Sequence, residues 1–144
     1  MKLLDVNVLV YAHREDAPDH SDYRVWLEQL ANGGEAFGVP DLVLSGFLRV
    51  VTHTRIFDPP TDLRVALRFV QTLRECANHV VISPGPGHWS IFTRLVRESS
   101  CRGNLVPDAF LAAMAIESGN TWITTDRGYG RFRDLNWRHP LDAA

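Results

Sequence analysis

Three aspartates in this sequence stand where a folded chain can bring carboxylates together. Asp5 interrupts the apolar run of residues 2–11, Asp108 stands at the head of an apolar helical segment, and Asp126 follows the apolar residues 121–124. Oxygen ligands without a cluster of histidines or thiolates favour a hard ion, Mg²⁺ or Mn²⁺. Such an ion lowers the pKa of a bound water, so the three acids predict a site for metal-dependent hydrolysis.

Each acid also has a structural alternative. Asp5 falls near the carboxyl end of a run that suits a strand covered on both faces, where ligands bind in open α/β sheets, but it can instead cap the following turn. Asp108 shares a helix face with packing residues, so its charge must find a cation, a metal or water in a cleft. Its alternative is a carboxylate satisfied by its own helix N-terminus.

The elements that must position these acids alternate along the chain. Strands are predicted at the start of the chain up to about Asp5 and over residues 37–39, 80–82 and 121–124. Helices are predicted from about residue 7 and over residues 23–30, 41–51, 62–73, 89–96 and 104–119. This alternation is typical of an α/β fold with a parallel sheet. If the first and last of these strands are parallel neighbours, Asp5 and Asp126 meet at one sheet edge, and Asp108 enters from the helix between them.

Composition excludes several classes of protein. The 144 residues, 45% hydrophobic and 22% charged, predict one ordinary soluble domain, and no apolar run approaches the roughly 18 residues that a membrane span needs. Lys2 is the only lysine, and no glycine-rich phosphate loop is present, which excludes Walker-type sites. Cys76 and Cys101 are too few for a disulfide framework, so a reducing cytoplasm is expected. His13 and His20 are predicted to be solvated in a loop.

A basic segment follows the third acid. Arg127, Arg131 and Arg133 alternate with Tyr129 and Phe132. Guanidinium groups suit a phosphate backbone and aromatic rings suit a base that stacks on them, although each residue alone is common in loops. The formal charge of −2 argues against a protein that grips nucleic acid with its whole surface, but a local basic patch fits RNA.

These residues resemble the PIN-domain ribonucleases, and most of all the toxin subunit of VapBC toxin–antitoxin pairs. The likeness is carried by the residues 3–12, by the helix from Asp108 to Glu117 and by the residues 124–127, and it runs from Lys2 to about Pro140. It implies one PIN domain over residues 1–144, with a PIN-like three-layer α/β/α fold and a central, mostly parallel sheet. It also implies an acidic Mg²⁺ site, cleavage of structured RNA such as transfer RNA, a homodimer, and a VapB-type antitoxin that blocks the site.

The residue pattern and the family resemblance together predict roles for individual residues. Asp5, Asp108 and Asp126 are predicted to be catalytic and to bind the metal. Substrate-binding roles are predicted for four further residues: Asn7, Thr125, Arg127 and Arg131.

One residue departs from the family pattern. Within the helix of residues 42–50 the family usually has a glutamate where this chain has Gly46. Three possibilities follow: the site works with three carboxylates and more water ligands, Asp41 or Glu117 partly compensates, or the domain binds RNA and a partner without cutting.

Two other functions compete with the nuclease. The first is a non-catalytic PIN-like module that binds RNA or protein. The second is a haloacid-dehalogenase-like phosphatase with Asp5 as nucleophile. That class needs a second aspartate two residues on and a later lysine, so Asn7 and the absence of lysines after Lys2 weigh against it.

Overall fold

A computed structural model describes residues 1–143, and Ala144, the last residue of the predicted domain, lies outside the described residues. The strands are β1 (Lys2–Leu4), β2 (Phe37–Gly38), β3 (Thr121–Ile123) and β4 (Trp137–Arg138). The helices are α1 (Val6–His13), α2 (His20–Ala31), α3 (Asp41–Val51), α4 (Leu63–Arg74), α5 (His88–Glu98) and α6 (Leu105–Ser118). A 3₁₀-helix spans Arg127–Arg131. The predicted α/β class with a parallel sheet is confirmed.

The sheet has the strand order β2-β1-β3-β4, and every pair is parallel. In the register of β1 against β3, Lys2 lies beside Thr121 and Leu4 beside Ile123. Leu3, Leu4 and Trp122 are fully buried, as expected for strands that are covered on both faces. The carboxyl ends of β1 and β3 are therefore side by side, and the residues that follow them share one edge of the sheet.

Helix α6 brings an acid to the same region. Its face of small and apolar residues is buried, including Ala109, Ala112 and Met114, which allows close packing on α5. Gly119 closes the helix in the left-handed conformation, with φ of 69°, as predicted. Asn104 occupies the N-cap position, but its side chain makes no capping hydrogen bond.

Within the described residues, no helix has the length and apolarity needed to cross a membrane.

The strand predicted over residues 80–82 is wrong. The N–H of Val80 donates to the Phe37 carbonyl at 2.8 Å, and an isolated bridge joins Phe37 to His79, but residues 80–82 form no strand. Val81 is 61% exposed. β-Branched residues favour strands when their side chains pack on a half-buried pleated surface. Val80 and Val81 are too exposed for such packing.

The two histidines expected in a solvated loop belong to helices instead. His13 ends α1, and its ring packs edge-on against Phe47 and Phe69, with centroids 5.4 and 4.9 Å away. Burial, and next the Arg14 cation, lower the pKa of His13. His20 begins α2, and its Nδ1 lies 2.8 Å from the carbonyl oxygen of Tyr11. The polar residues around His13 predict a solvated loop. The structure differs because the His13 ring packs on aromatic rings of other helices, and such contacts leave no signal in the local sequence.

Candidate functional site

One cavity of about 400 Å³ brings the three predicted carboxylates together. Asp5 reaches it from the end of β1, Asp126 from the loop after β3, and Asp108 from the first turn of α6. Helix α3 also contributes to the lining. The lining residues are Asp5, Val6, Asn7, Leu42, Ser45, Gly46, Arg49, Val50, Asn104, Pro107, Asp108, Leu111, Asp126 and Tyr129.

Asp5 is the most buried of the three acids, with 8% of its surface exposed. Its Oδ1 accepts a hydrogen bond from the N–H of Val6 at 2.7 Å, so it caps α1, and its Oδ2 accepts one from the Thr124 hydroxyl at 2.7 Å. Burial raises its pKa to about 6, the nearby charges of Asp108 and Asp126 add to the rise, and the two hydrogen bonds oppose it. Capping of α1 and a position in the cavity are thus not alternatives, because Asp5 caps the helix and also lines the cavity.

Thr124 connects two of the acids. Its fully buried hydroxyl donates to Asp5 and accepts a hydrogen bond from the N–H of Asp126 at 3.0 Å. The residue predicted to bind substrate is its neighbour Thr125, which is half-buried and does not line the cavity. No local signal separates the two residues, because both threonines stand between the apolar strand and Asp126.

Asp108 is held by a phenol. The hydroxyl of Tyr129 donates to Asp108 Oδ1 at 3.2 Å, and Tyr129 is only 2% exposed. Burial raises the pKa of Asp108, with a further rise from Asp126, while the Tyr129 hydrogen bond and the Arg131 charge lower it. The pKa of Tyr129 is far above its usual range because the phenol is buried and carboxylates surround it. Tyr129 therefore keeps its proton and stays a donor to Asp108.

The burial of the aromatic residues contradicts one prediction. Tyr129 packs on Trp122 and on Phe132, with both ring centroids 5.7 Å away, and Phe132 is 3% exposed. Neither ring is available to stack on an RNA base, so that prediction is wrong. Both rings instead fix the 3₁₀-helix against the core, and this places the residues that follow β3.

Asp126 is the exposed member of the three acids. It caps the 3₁₀-helix, and its Oδ1 accepts from the N–H of Gly128 at 2.8 Å. Its own N–H donates to Thr124. The backbone at Asp126 is thus fixed on both sides, although its carboxylate is open to solvent.

The residues assigned to substrate binding separate into two groups. Asn7 is exposed and lines the cavity. Arg131 has no ion pair within residues 1–143, and it lies near enough to Asp108 to lower the pKa of that acid. Arg127 is paired with Asp142 at 3.0 Å and does not line the cavity.

Gly46 lies on the cavity wall and leaves it without a fourth carboxylate. Neither residue suggested as a substitute is in the lining: Asp41 pairs with Arg74, and the Glu117 oxygens accept from two backbone N–H groups of residues 85 and 87, at 2.7 and 2.8 Å. A Cβ atom at position 46 would stand 3.0 Å from Val6 Cγ2. Any side chain there requires Val6 to shift by a few tenths of an ångström.

The donor chemistry of the cavity fits a hard divalent cation, because the acidic groups offer only oxygen and no histidine or cysteine of the described residues lines the wall. Across residues 1–143, no three His, Cys, Asp or Glu side chains are gathered into a ready metal cluster. The three carboxylates line one cavity without forming such a cluster. A site of this kind suits an ion that keeps several of its own water ligands, as Mg²⁺ does.

Comparisons with known proteins agree with the fold. A family model described as PIN domain matches residues 2–135. Ribonuclease VapC43 of Mycobacterium tuberculosis is 49% identical over 142 residues, which are 99% of this chain and 97% of the relative. Ribonuclease VapC25 of the same species is 39% identical, over 97% of this chain and 99% of the relative. The solved structure of VapBC2 from Rickettsia felis, bound to a DNA fragment from its promoter, has a TM-score of 0.71 at 20% identity, and covers 96% of this chain and 97% of that one.

Proposed function

Because the chain belongs to the PIN domain family and, within it, to the VapC ribonucleases, we propose that it is a metal-dependent endoribonuclease that acts as the toxin of a VapBC pair. The observation that carries this proposal is the cavity that joins Asp5, Asp108 and Asp126. All three acids lie within the residues that the family model matches. Structured RNA, and transfer RNA in particular, is the proposed substrate.

In this proposal the three aspartates hold Mg²⁺, for which Mn²⁺ can substitute. The bound ion supplies an acidified water and neutralises charge on the phosphate. Thr124 and the N–H of Val6 fix the carboxylate of Asp5, and the protonated Tyr129 fixes that of Asp108. In the same proposal, Arg131 and Asn7 bind the RNA backbone beside the acids.

The proposed protein partner is a VapB-type antitoxin. Several structural neighbours are VapBC complexes, which supports such a partner here. Three carboxylates around one cavity repel one another, so an arginine or lysine from the antitoxin can take the place of the cation. A homodimer, a cytoplasmic location and one PIN domain over residues 1–144 stay predictions.

The test is cleavage of transfer RNA by the purified chain with Mg²⁺, with Asp5→Asn as the inactive variant. Loss of one ligand should lower the rate by at least about a hundredfold, since even residues that only orient metal ligands cost 10- to 100-fold when changed. Asp41→Asn is the matched control, because Asp41 is an exposed carboxylate outside the cavity, and it should keep the wild-type rate.

Two outcomes would contradict the proposal. Full activity of Asp5→Asn at saturating Mg²⁺, with a normal circular dichroism spectrum, would remove Asp5 from the metal site. Wild-type protein that binds RNA but cuts none would favour the non-catalytic module, the alternative that Gly46 supports. The phosphatase alternative is set aside, because the chain belongs to the PIN domain family.

A further inference from the structure

Arg49 is a basic side chain on the wall of the carboxylate cavity that the proposed reaction does not use. It lies in α3, one turn after Gly46, and lines the same cavity as the three acids. It is exposed, and its guanidinium has no ion pair with any of residues 1–143. By contrast, Arg74, Arg127 and Arg133 are each paired with a carboxylate.

The position of Arg49 makes it available to an anion. Although it shares a cavity with Asp5, Asp108 and Asp126, none of their oxygens lies within ion-pair distance of it. The cavity thus presents carboxylates from β1, α6 and the loop after β3, and a free guanidinium from α3. A guanidinium binds phosphate through two parallel hydrogen bonds, which a carboxylate wall cannot do.

Gly46 contributes to this freedom. Residues three apart on a helix are neighbours on its surface, so an acid at position 46 would stand next to Arg49 and could pair with it. With glycine at that position, α3 supplies no carboxylate to the cavity wall. The same residue that removes a possible metal ligand also leaves the Arg49 guanidinium unpaired.

We propose that Arg49 binds a phosphate of the RNA beside the bond that is cut, so that α3 serves the substrate and not the metal. This inference rests on the proposed function, since it takes RNA as the substrate. The hydroxyl of Ser45, which is exposed on the same wall, lies one turn before Arg49 and is placed to assist.

The test measures RNA binding without cleavage. Fluorescence anisotropy with labelled bulk transfer RNA in EDTA gives Kd at several salt concentrations for wild type, Arg49→Ala and Arg49→Lys. Arg49→Ala should weaken binding about tenfold, as expected for a charged hydrogen-bonded pair, and should lower the slope of log Kd against log salt by about one. The Kd of Arg49→Lys should lie between those of wild type and Arg49→Ala, because lysine keeps the charge but cannot make two parallel hydrogen bonds to the phosphate.

Arg64→Ala is the matched control, since Arg64 is exposed in α4, has no ion pair within the described residues and does not line the cavity. It should leave Kd and slope nearly unchanged. The Mn²⁺ affinity of Arg49→Ala, followed by electron paramagnetic resonance, should equal that of wild type.

Three results would overturn the inference. The first is an equal effect of Arg64→Ala, which would make Arg49 one more surface charge. The second is tighter Mn²⁺ binding by Arg49→Ala with unchanged RNA binding, which would make Arg49 a counter-cation of the acids. The third is no RNA binding by wild type.

The two proposals fail separately. A chain that binds RNA through Arg49 but does not cut it keeps the contact between Arg49 and an RNA phosphate and loses the nuclease. A chain that cuts RNA while Arg49→Ala binds normally does the reverse.

Discussion

The two walls of the carboxylate cavity differ in how firmly their side chains are held. On one wall, Asp5 and Asp108 are partly or fully buried, and both accept hydrogen bonds from side chains that are themselves buried. On the other wall, Ser45 and Arg49 of α3 are exposed, and their side chains make no hydrogen bond or ion pair within residues 1–143. Carboxylates that are held in place suit a small metal ion, which needs defined ligand geometry. Polar side chains that can change conformation suit a flexible polymer such as RNA.

We call the wall that carries Asp5 and Asp108 the fixed wall. Among residues that hold its carboxylates in place, Thr124 should give the largest loss of activity when it is changed to valine. The change removes the donor to Asp5 and the acceptor for Asp126 while it keeps the shape of the side chain. RNA cleavage should fall 10- to 100-fold, in the range for residues that orient metal ligands. Unfolding should become easier by about 1–3 kcal/mol, because the N–H of Asp126 loses its acceptor.

Thr125→Val is the matched control for that variant. It makes the same chemical change one residue later, in a side chain that is half-buried and outside the cavity lining. Cleavage rates and urea unfolding of both variants check the comparison. An effect of Thr125→Val equal to that of Thr124→Val would restore the substrate-binding role that the sequence suggested for Thr125.

The fixed wall should also reveal itself in the pH dependence of stability. The pKa of Asp5 is about 6 in the folded protein, above the ordinary 3.8, so the folded state binds this proton more tightly than the unfolded chain does. The resulting stabilisation is fully present below about pH 4 and is lost as the pH rises through 6. Its size corresponds to at most about 3 kcal/mol.

Asp5→Asn cannot ionise and should escape this loss. In EDTA, its free energy of unfolding should exceed that of wild type by up to about 3 kcal/mol above pH 7, less the weaker hydrogen bonding of the amide. The difference should shrink towards pH 4. Urea unfolding at several pH values measures it, and a difference that stays constant with pH would mean that Asp5 titrates normally.

The smallest effect concerns the arginines after β3. Arg131→Ala should lower the salt slope of RNA binding by about one, because Arg131 has no ion pair within residues 1–143 and is close to Asp108. Arg127→Ala should change it less, because Arg127 is already paired with Asp142. A larger change for Arg127→Ala would show that this pair opens when RNA binds.

The part of the site that sequence predicted well depends on local signals joined by one rule of topology. An apolar run that ends in an acid marks the end of a buried strand, and parallel neighbours place such ends together. This was enough to bring Asp5 and Asp126 to one sheet edge, with Asp108 entering from α6.

The details that sequence missed depend on contacts between distant parts of the chain. Thr124 differs from Thr125 only in which side of the backbone meets Asp5, 119 residues away. The burial of Tyr129 follows from its packing on Trp122, and the pairing of Arg127 depends on Asp142. None of these contacts has a signature in the local pattern of residues.

The most direct test of the account is the binding of Mn²⁺ to the RNA-free protein, measured by electron paramagnetic resonance for wild type, Asp108→Asn and Asp41→Asn. If the cavity carboxylates hold the ion, Asp108→Asn should weaken Mn²⁺ binding by at least about tenfold, and Asp41→Asn should bind like wild type. Equal Mn²⁺ affinity in wild type and Asp108→Asn would contradict a metal site in this cavity.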